Sequence, residues 1–302
     1  MEEGLIRIFP AKLIEKIGSY FNRPTLQEIR IKEGKPCILI LEGREVVIQY
    51  ITKREDIKYI LQRVSNYSLY AFEEDIKQGF ITIKGGHRIG LAGECVMEDG
   101  KIKTIRNISS LNIRICREII GCSNKIIEHL VKNERVLNTL IISPPKCGKT
   151  TILRDIARKL SEKGKKVAVI DERSEIAACY LGVPQMDLGI RSDVLDNCLK
   201  SEGMIMAIRS LSPEVIICDE IGSVKDIEAL VMAFNSGVNI VVTLHGYSTE
   251  DFFNRKVFQE LIENYILDRI VVLSNKNGVG TIEGIYSLPK EEGEIKCSRL
   301  CL

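Results

Sequence analysis

The sequence predicts an α/β fold with a mostly parallel sheet in its C-terminal part, preceded by a smaller α+β domain. Three observations carry that expectation. From about residue 120 onward, continuous Val/Ile-rich runs alternate with longer helical segments, the pattern of strands buried on both faces and joined by crossover helices. One of these runs leads into a Gly-Lys-Thr loop that opens a helix. Before residue 120, apolar and polar residues alternate between glycine-containing turns, as in antiparallel strands. The expected division is residues 1–120 and 121–302.

In the N-terminal part, EIRIKEGKPCILILEGREVVI (residues 28–48) should form antiparallel strands around turns at Gly34–Pro36 and Glu42–Arg44. The following segment, starting at residue 52, places Ile57, Ile60, Leu61 and Val64 at helical spacing and predicts an amphipathic helix with Thr52 as its N-cap. It extends through residues 66–71 to FEEDIKQG. The glycines of GFITIKGGHRIGLAGECV predict a hairpin or a close backbone approach. Residues 122–136 read as a short helix and a joint. The expected strands of the C-terminal part are 137–143, 165–171, 214–220, 239–245 and 268–274.

Composition narrows the function classes. With 43 basic and 41 acidic residues the formal charge is +2, so no global field favours nucleic acid, and no nucleic-acid partner is expected. The ten cysteines form no CxxC pair and no zinc-ligand cluster, and read as buried thiols in a reducing compartment. The N-terminus MEEGLIRIF is acidic where a signal peptide would be basic, and no apolar run nears the ~20 residues of a membrane span. A cytoplasmic location is expected.

The strongest motif is SPPKCGKTT, residues 143–151, between a strand and a helix. In GxxxxGK[ST] loops, backbone amides approach phosphate oxygens, the lysine reaches the β and γ phosphates, and the hydroxyl ligates magnesium. Pro145, Lys146, Cys147, Gly148, Lys149, Thr150 and Thr151 are therefore expected to bind ATP, with Thr150 on Mg2+. Ser143 replaces the first glycine of the pattern. Hydrolysis also needs a strand-end carboxylate for the metal shell and another to orient water. EVIICDE supplies Asp219 for the metal and Glu220 for the water, while VIDERSEI offers Asp171, Glu172 and Glu175. Either Glu220 or Glu172 could be the base.

The strand NIVVTLH carries Thr243 and His245 toward the sheet edge where open α/β folds place ligands, and suits contact with the γ-phosphate or the attacking water. Transition-state charge commonly needs an arginine, often from a second subunit. Arg173, Arg191 and Arg209 are candidates, with Arg173 and Arg209 ranked first. The N-terminal GGHRIGLAG segment with Arg88 is expected either to cover a nucleotide face or to be only a tight hairpin.

EIRIKEGKP, SLYAFEEDIKQGFITIKGGHRIGLAGE, SPPKCGKTTILRDIAR, VAVIDERSEIA, IRSLSPEVIICDEIG and NIVVTLHG resemble the stage III AA family of sporulation proteins, itself similar to type II and type IV secretion and pilus ATPases. The resemblance implies a RecA-like P-loop core and an ATP-hydrolysing motor. It makes VIDERSE an acidic box with Glu172, SPEVIICDEIG the Walker B region with Asp219 and Glu220, and His245 the histidine-box residue. It further implies a homo-oligomeric, hexameric ring recruited peripherally to the membrane on the mother-cell side, with membrane-embedded channel proteins as partners. The competing expectations are a nucleotide-gated scaffold with little turnover and a RecA-like DNA motor.

Overall fold

The computed structural model describes residues 2–65, 72–288 and 298–300. The chain divides into two compact units, one of residues 1–117 with 178–185, the other of residues 118–177 with 186–302.

In the first unit, α1 (Glu2–Ile6) and α2 (Ala11–Phe21) precede β1 (Leu26–Lys32), β2 (Pro36–Leu41) and β3 (Arg44–Ile51). Then come α3 (Arg54–Val64), α4 (Glu73–Gln78), β4 (Phe80–Ile83), β5 (His87–Glu98) and β6 (Lys101–Arg114). The strands make one antiparallel sheet in the order β3-β2-β1-β6-β5-β4. Alternation decides which face is inward: Leu26, Ile29 and Ile31 of β1 are buried while Gln27, Arg30 and Lys32 are exposed. Leu13, Ile17 and Phe21 of α2 and Ile57, Ile60 and Leu61 of α3 complete that core.

The α3 helix begins one residue later than expected. Lys53 is its N-cap, and the Asp56 carboxylate accepts the Lys53 amide at 2.8 Å, whereas Thr52 is buried with no partner for its hydroxyl among the described residues. Residues 66–71 of the expected helix lie outside the described residues. The segment GFITIKGGHRIGLAGECV meets both expectations: Gly85 and Gly86 turn β4 into β5 with positive φ, and a Cβ at Gly93 would sit 2.7 Å from the Arg106 carbonyl across the β5–β6 pair.

The second unit comprises α5 (Asn124–Leu130), β7 (Val131–Lys132), β8 (Arg135–Val136), β9 (Thr139–Ser143), α6 (Lys149–Glu162) and β10 (Val167–Asp171). It continues through β11 (Ser192–Asp196), α7 (Lys200–Ser210), β12 (Val215–Cys218), α8 (Val224–Asn235) and β13 (Asn239–His245). It ends in α9 (Glu250–Phe253), α10 (Gln259–Glu263), β14 (Arg269–Ser274), β15 (Thr281–Ser287) and β16 (Ser298–Leu300). The eight-stranded sheet runs β11-β10-β12-β13-β9-β14-β15-β16, parallel from β11 to β14 and antiparallel at β15 and β16. Every residue of β9, β10 and β12 is buried, which explains their unbroken apolar runs.

That strand order positions the chemistry. β13 separates β9 from β12, and all three are parallel, so the loops after Ser143, Cys218 and His245 leave the same edge of the sheet. Eight cysteines among the described residues are free thiols; Cys37, Cys147, Cys179 and Cys218 are buried, but Cys95 is exposed on the β5 strand and departs from the expected burial. Among the described residues no helix is long and apolar enough to cross a membrane.

Candidate functional site

The phosphate loop turns on two left-handed residues, Lys146 at φ 59° and Gly148 at φ 82°. Gly148 is the N-cap of α6, and a Cβ there would lie 3.0 Å from Val279 of the β14–β15 turn, so the position combines a strained φ with little room. The first-turn amides of α6 lack intrahelical acceptors, and the helix dipole favours an anion there. Pro145 and Lys146 are exposed, whereas Cys147 is buried and its thiol donates to the Pro145 carbonyl at 3.5 Å. Ser143, in place of a glycine, is the last residue of β9, fully buried and paired with His245. It belongs to the strand rather than to the turn. Thr151 is half-buried on α6, and its carbonyl accepts from the Cys122 thiol.

Lys149 and Thr150, the first residues of α6, meet the end of β12. The Lys149 ammonium contacts Glu220 Oε1 at 2.7 Å and Asp219 Oδ1 at 3.6 Å, and the Thr150 hydroxyl donates to Asp219 Oδ2 at 2.7 Å. Lys149 is only 9% exposed. Thr243 of β13 joins them: its hydroxyl donates to Asp219 and accepts the Glu220 amide at 2.8 Å. Glu220 adopts φ 52°, a left-handed conformation that non-glycine residues rarely hold. The hydrogen bond from Lys149 holds the Glu220 carboxyl below the usual range, against partial desolvation. Arg173 Nη1 approaches the other Glu220 oxygen at 3.3 Å.

Glu172 takes a separate partner, the Lys200 ammonium at the start of α7. Burial works to lower the Lys200 pKa, and the bond to Glu172 outweighs it, leaving the ammonium above its ordinary value. Asp171 is buried and accepts the amides of Glu175 and Ala177, both at 2.8 Å; burial pushes its carboxyl up. Arg154 of α6 donates to the Glu175 and Ile176 carbonyls at 2.8 and 2.6 Å. The acidic segment is thus pinned to the helix that carries the phosphate loop.

His245 ends β13, exposed, with its ring edge-on to Tyr247 at 6.1 Å. Its carbonyl accepts from Arg255 Nη2 at 2.9 Å. An open groove of about 370 Å³ is lined by Pro145, Glu220, Ile221, Leu244, His245 and Arg255.

Two of the arginines do not join this cluster. α7 leaves the acidic edge at Lys200 and carries Arg209 roughly 14 Å along its axis, toward the start of β12. Arg191 precedes β11, and its amide and guanidinium bond Ser161 at the far end of α6. Both lie at the opposite edge of the sheet within this chain, because a crossover helix returns the chain to where the next parallel strand starts. Arg173 alone of the three reaches the site.

Lys200 and Arg255 are the residues that motif reading overlooked. Lys200 had a usable signal, since a cation in the first helical turn opposes the macrodipole and calls for a nearby carboxylate. Arg255 had none, because the turn that returns it to His245 is tertiary. The oxygen donors of Thr150 and Asp219 suit a hard divalent cation such as Mg2+, and Lys149 with the α6 N-terminus suits a polyphosphate.

Comparison with known proteins bears on the family and the fold. The family model of sporulation stage III, protein AA matches residues 4–294. Stage III sporulation protein AA of Bacillus subtilis (strain 168) is 47% identical over 267 residues, 86% of this chain and 86% of that protein. Among solved structures, the Yersinia pseudotuberculosis ATPase DotB aligns with a TM-score of 0.59 at 15% identity over 96% of this chain and 79% of that one. The pilus retraction motor PilT with bound ADP aligns at 0.57 and 17% identity, over 82% and 74%. At such identities the likeness is one of fold, whereas the family match spans nearly the whole sequence: the chain belongs to the sporulation stage III protein AA family.

Proposed function

We propose that this chain is a Mg2+-dependent ATPase with a RecA-like P-loop core, acting as a homo-oligomeric, hexameric motor of the secretion-ATPase kind. One observation carries the reading: Lys149 and Thr150 of the phosphate loop converge on Asp219 and Glu220, with Thr243 from the strand between them bonding both acidic residues. Lys149 and the α6 amides would hold the β and γ phosphates, and Thr150 with Asp219 the magnesium shell, which would neutralise charge on the phosphates. Lys149 would exchange Glu220 for phosphate, so that Glu220 becomes able to accept a proton from water as the water oxygen bonds the γ-phosphorus and the bond to the β-phosphate oxygen breaks. Glu172, committed to Lys200, is the poorer base.

Family membership supports a role in sporulation. The likeness of fold to secretion and pilus motors supports work on a membrane channel between mother cell and forespore, with the chain at its cytoplasmic, mother-cell face and recruited by membrane-embedded partners. Steady-state phosphate release by the purified full-length protein with ATP and Mg2+ tests the enzymatic reading. Nucleotide binding without turnover would replace the motor by a nucleotide-gated scaffold.

A further inference from the structure

The groove beside Glu220 contains an arginine with no role in the site so far described. Arg255 follows α9, shares the groove wall with Pro145, Glu220 and His245, and donates one hydrogen bond to the His245 carbonyl at 2.9 Å. A guanidinium has five N–H donors in a planar fork whose geometry matches phosphate oxygens.

The loop that presents Arg255 is tightly constrained. Gly246 is buried, and a Cβ there would approach Asp251 Oδ2 and Ile142 Cγ2 at 3.0 Å each. The Asp251 carboxylate accepts the amides of Tyr247 at 2.6 Å and Ser248 at 3.1 Å, which closes the turn after His245. The attraction of Arg255 lowers the Asp251 pKa further, a lesser contribution than the Tyr247 amide. A cation on so fixed a loop is preorganised, so little side-chain and loop ordering is left to oppose anion binding. The groove begins at Pro145 of the phosphate loop and passes the carboxylate assigned to the attacking water.

We propose that Arg255 reads the terminal phosphate within its own chain, binding a γ-phosphate oxygen of the triphosphate and then the orthophosphate released from it, and relays that contact to His245 through the shared hydrogen bond. The inference rests on the ATPase reading and adds a residue to it. It explains why the arginine is tied to a main-chain oxygen at the end of β13: gain or loss of phosphate there pulls on the strand that also carries Thr243.

ADP lacks the terminal phosphate, so affinity for the two nucleotides separates this role from a structural one. Full-length wild type, Arg255→Gln and Arg255→Lys are titrated with Mg-ATP and Mg-ADP by calorimetry, with thermal melting of each. In Arg255→Gln the preference for ATP over ADP should fall at least ~10-fold relative to wild type while ADP affinity stays within about twofold, and inhibition of turnover by inorganic phosphate should weaken in parallel. Arg255→Lys keeps a cation and a donor for His245, and should recover part of the preference. An unchanged ATP-to-ADP ratio in Arg255→Gln overturns the proposal, as does equal loss of both nucleotides with a lowered melting temperature in both variants, which marks a loop prop. Wild type binding neither nucleotide overturns the ATPase reading itself, a result visible without any variant.

Discussion

Lys149 and Glu220 stand 71 positions apart in the chain and meet at 2.7 Å, an ion pair that joins the phosphate loop to the strand end holding the acidic residues. The contact is possible because β9 and β12 are parallel and separated by one strand, so their following loops open on one edge. It also couples the two halves of the proposed chemistry: the group that would hold phosphate is the group whose hydrogen bond lowers the pKa of the candidate base.

Lys149→Ala should therefore abolish productive ATP binding and let the Glu220 carboxyl rise toward its ordinary pKa. The fold should persist, since Asp219 keeps Thr150 and Thr243 and Glu220 keeps Arg173. Calorimetry with Mg-ATP and a far-UV spectrum check both parts. Wild-type ATP affinity in the variant would remove the loop from the site.

The two candidate bases separate by substitution. Glu220→Gln should bind ATP and hydrolyse it at least ~100-fold more slowly, about 2.7 kcal/mol of transition-state stabilisation. Glu172→Gln should lose less, because its carboxylate is engaged by Lys200 and the change mainly loosens the start of α7. Single-turnover rates at saturating ATP decide between them, and the larger loss in Glu172→Gln would reverse the roles.

How far the sequence could be read follows from which interactions are local. The buried parallel strands were legible because burial on both faces leaves no polar positions, as in β10. β11, Ser-Asp-Val-Leu-Asp at the sheet edge, is half-exposed and escaped notice for the converse reason. Lys149, Thr150, Asp219 and Glu220 were legible as motifs because their spacing is set by one strand and one turn. The separation of Arg209 from them was open to the same reasoning, since a crossover helix such as α7 ends beside the start of the next parallel strand, but residue type alone made that arginine a candidate. The pairing of Glu172 with Lys200 required the structure, which brings β10 and the start of α7 together.

Asp155 gives a pH-dependent prediction for stability. It is buried on α6, contacts Arg158 at 2.6 Å, and accepts the Ser123 amide at 2.8 Å and hydroxyl at 2.6 Å. Desolvation opposes its ionisation, yet the bonds from Ser123 and Arg158 prevail and its pKa is lowered. A carboxyl whose folded pKa lies below the unfolded one stabilises the fold above the unfolded value, and that contribution fades as pH falls through the folded value. Melting temperature should drop below about pH 4 in wild type, with less change in Asp155→Asn. At pH 7, Asp155→Ala should cost about 3–5 kcal/mol, because Arg158 is left buried with, among the described residues, only the partly exposed Glu162. Parallel pH profiles of wild type and variant would contradict this assignment.

Activity should belong to an assembly. Arg173 already reaches Glu220 in its own chain, whereas Arg209 is exposed at the opposite sheet edge, so it can serve a phosphate site only from another copy. Deleting the N-terminal residues is a poor test, because residues 178–185 fold with residues 1–117: Tyr180 packs on that core, and Gln185 Oε1 accepts the Gly85 amide at 2.8 Å. Full-length subunits offer a cleaner one. Turnover per subunit should rise with protein concentration as copies associate, and Arg209→Ala should lower it at least ~10-fold, since an arginine supplied in trans is commonly worth more than that. Mixing Arg209→Ala with Lys149→Ala should then raise activity above that of either variant: intact phosphate loops of the first meet intact arginines of the second at some interfaces, although each variant alone is impaired. Constant specific activity across a dilution series, together with a mixture no more active than its parts, would show that each chain is a self-sufficient catalyst.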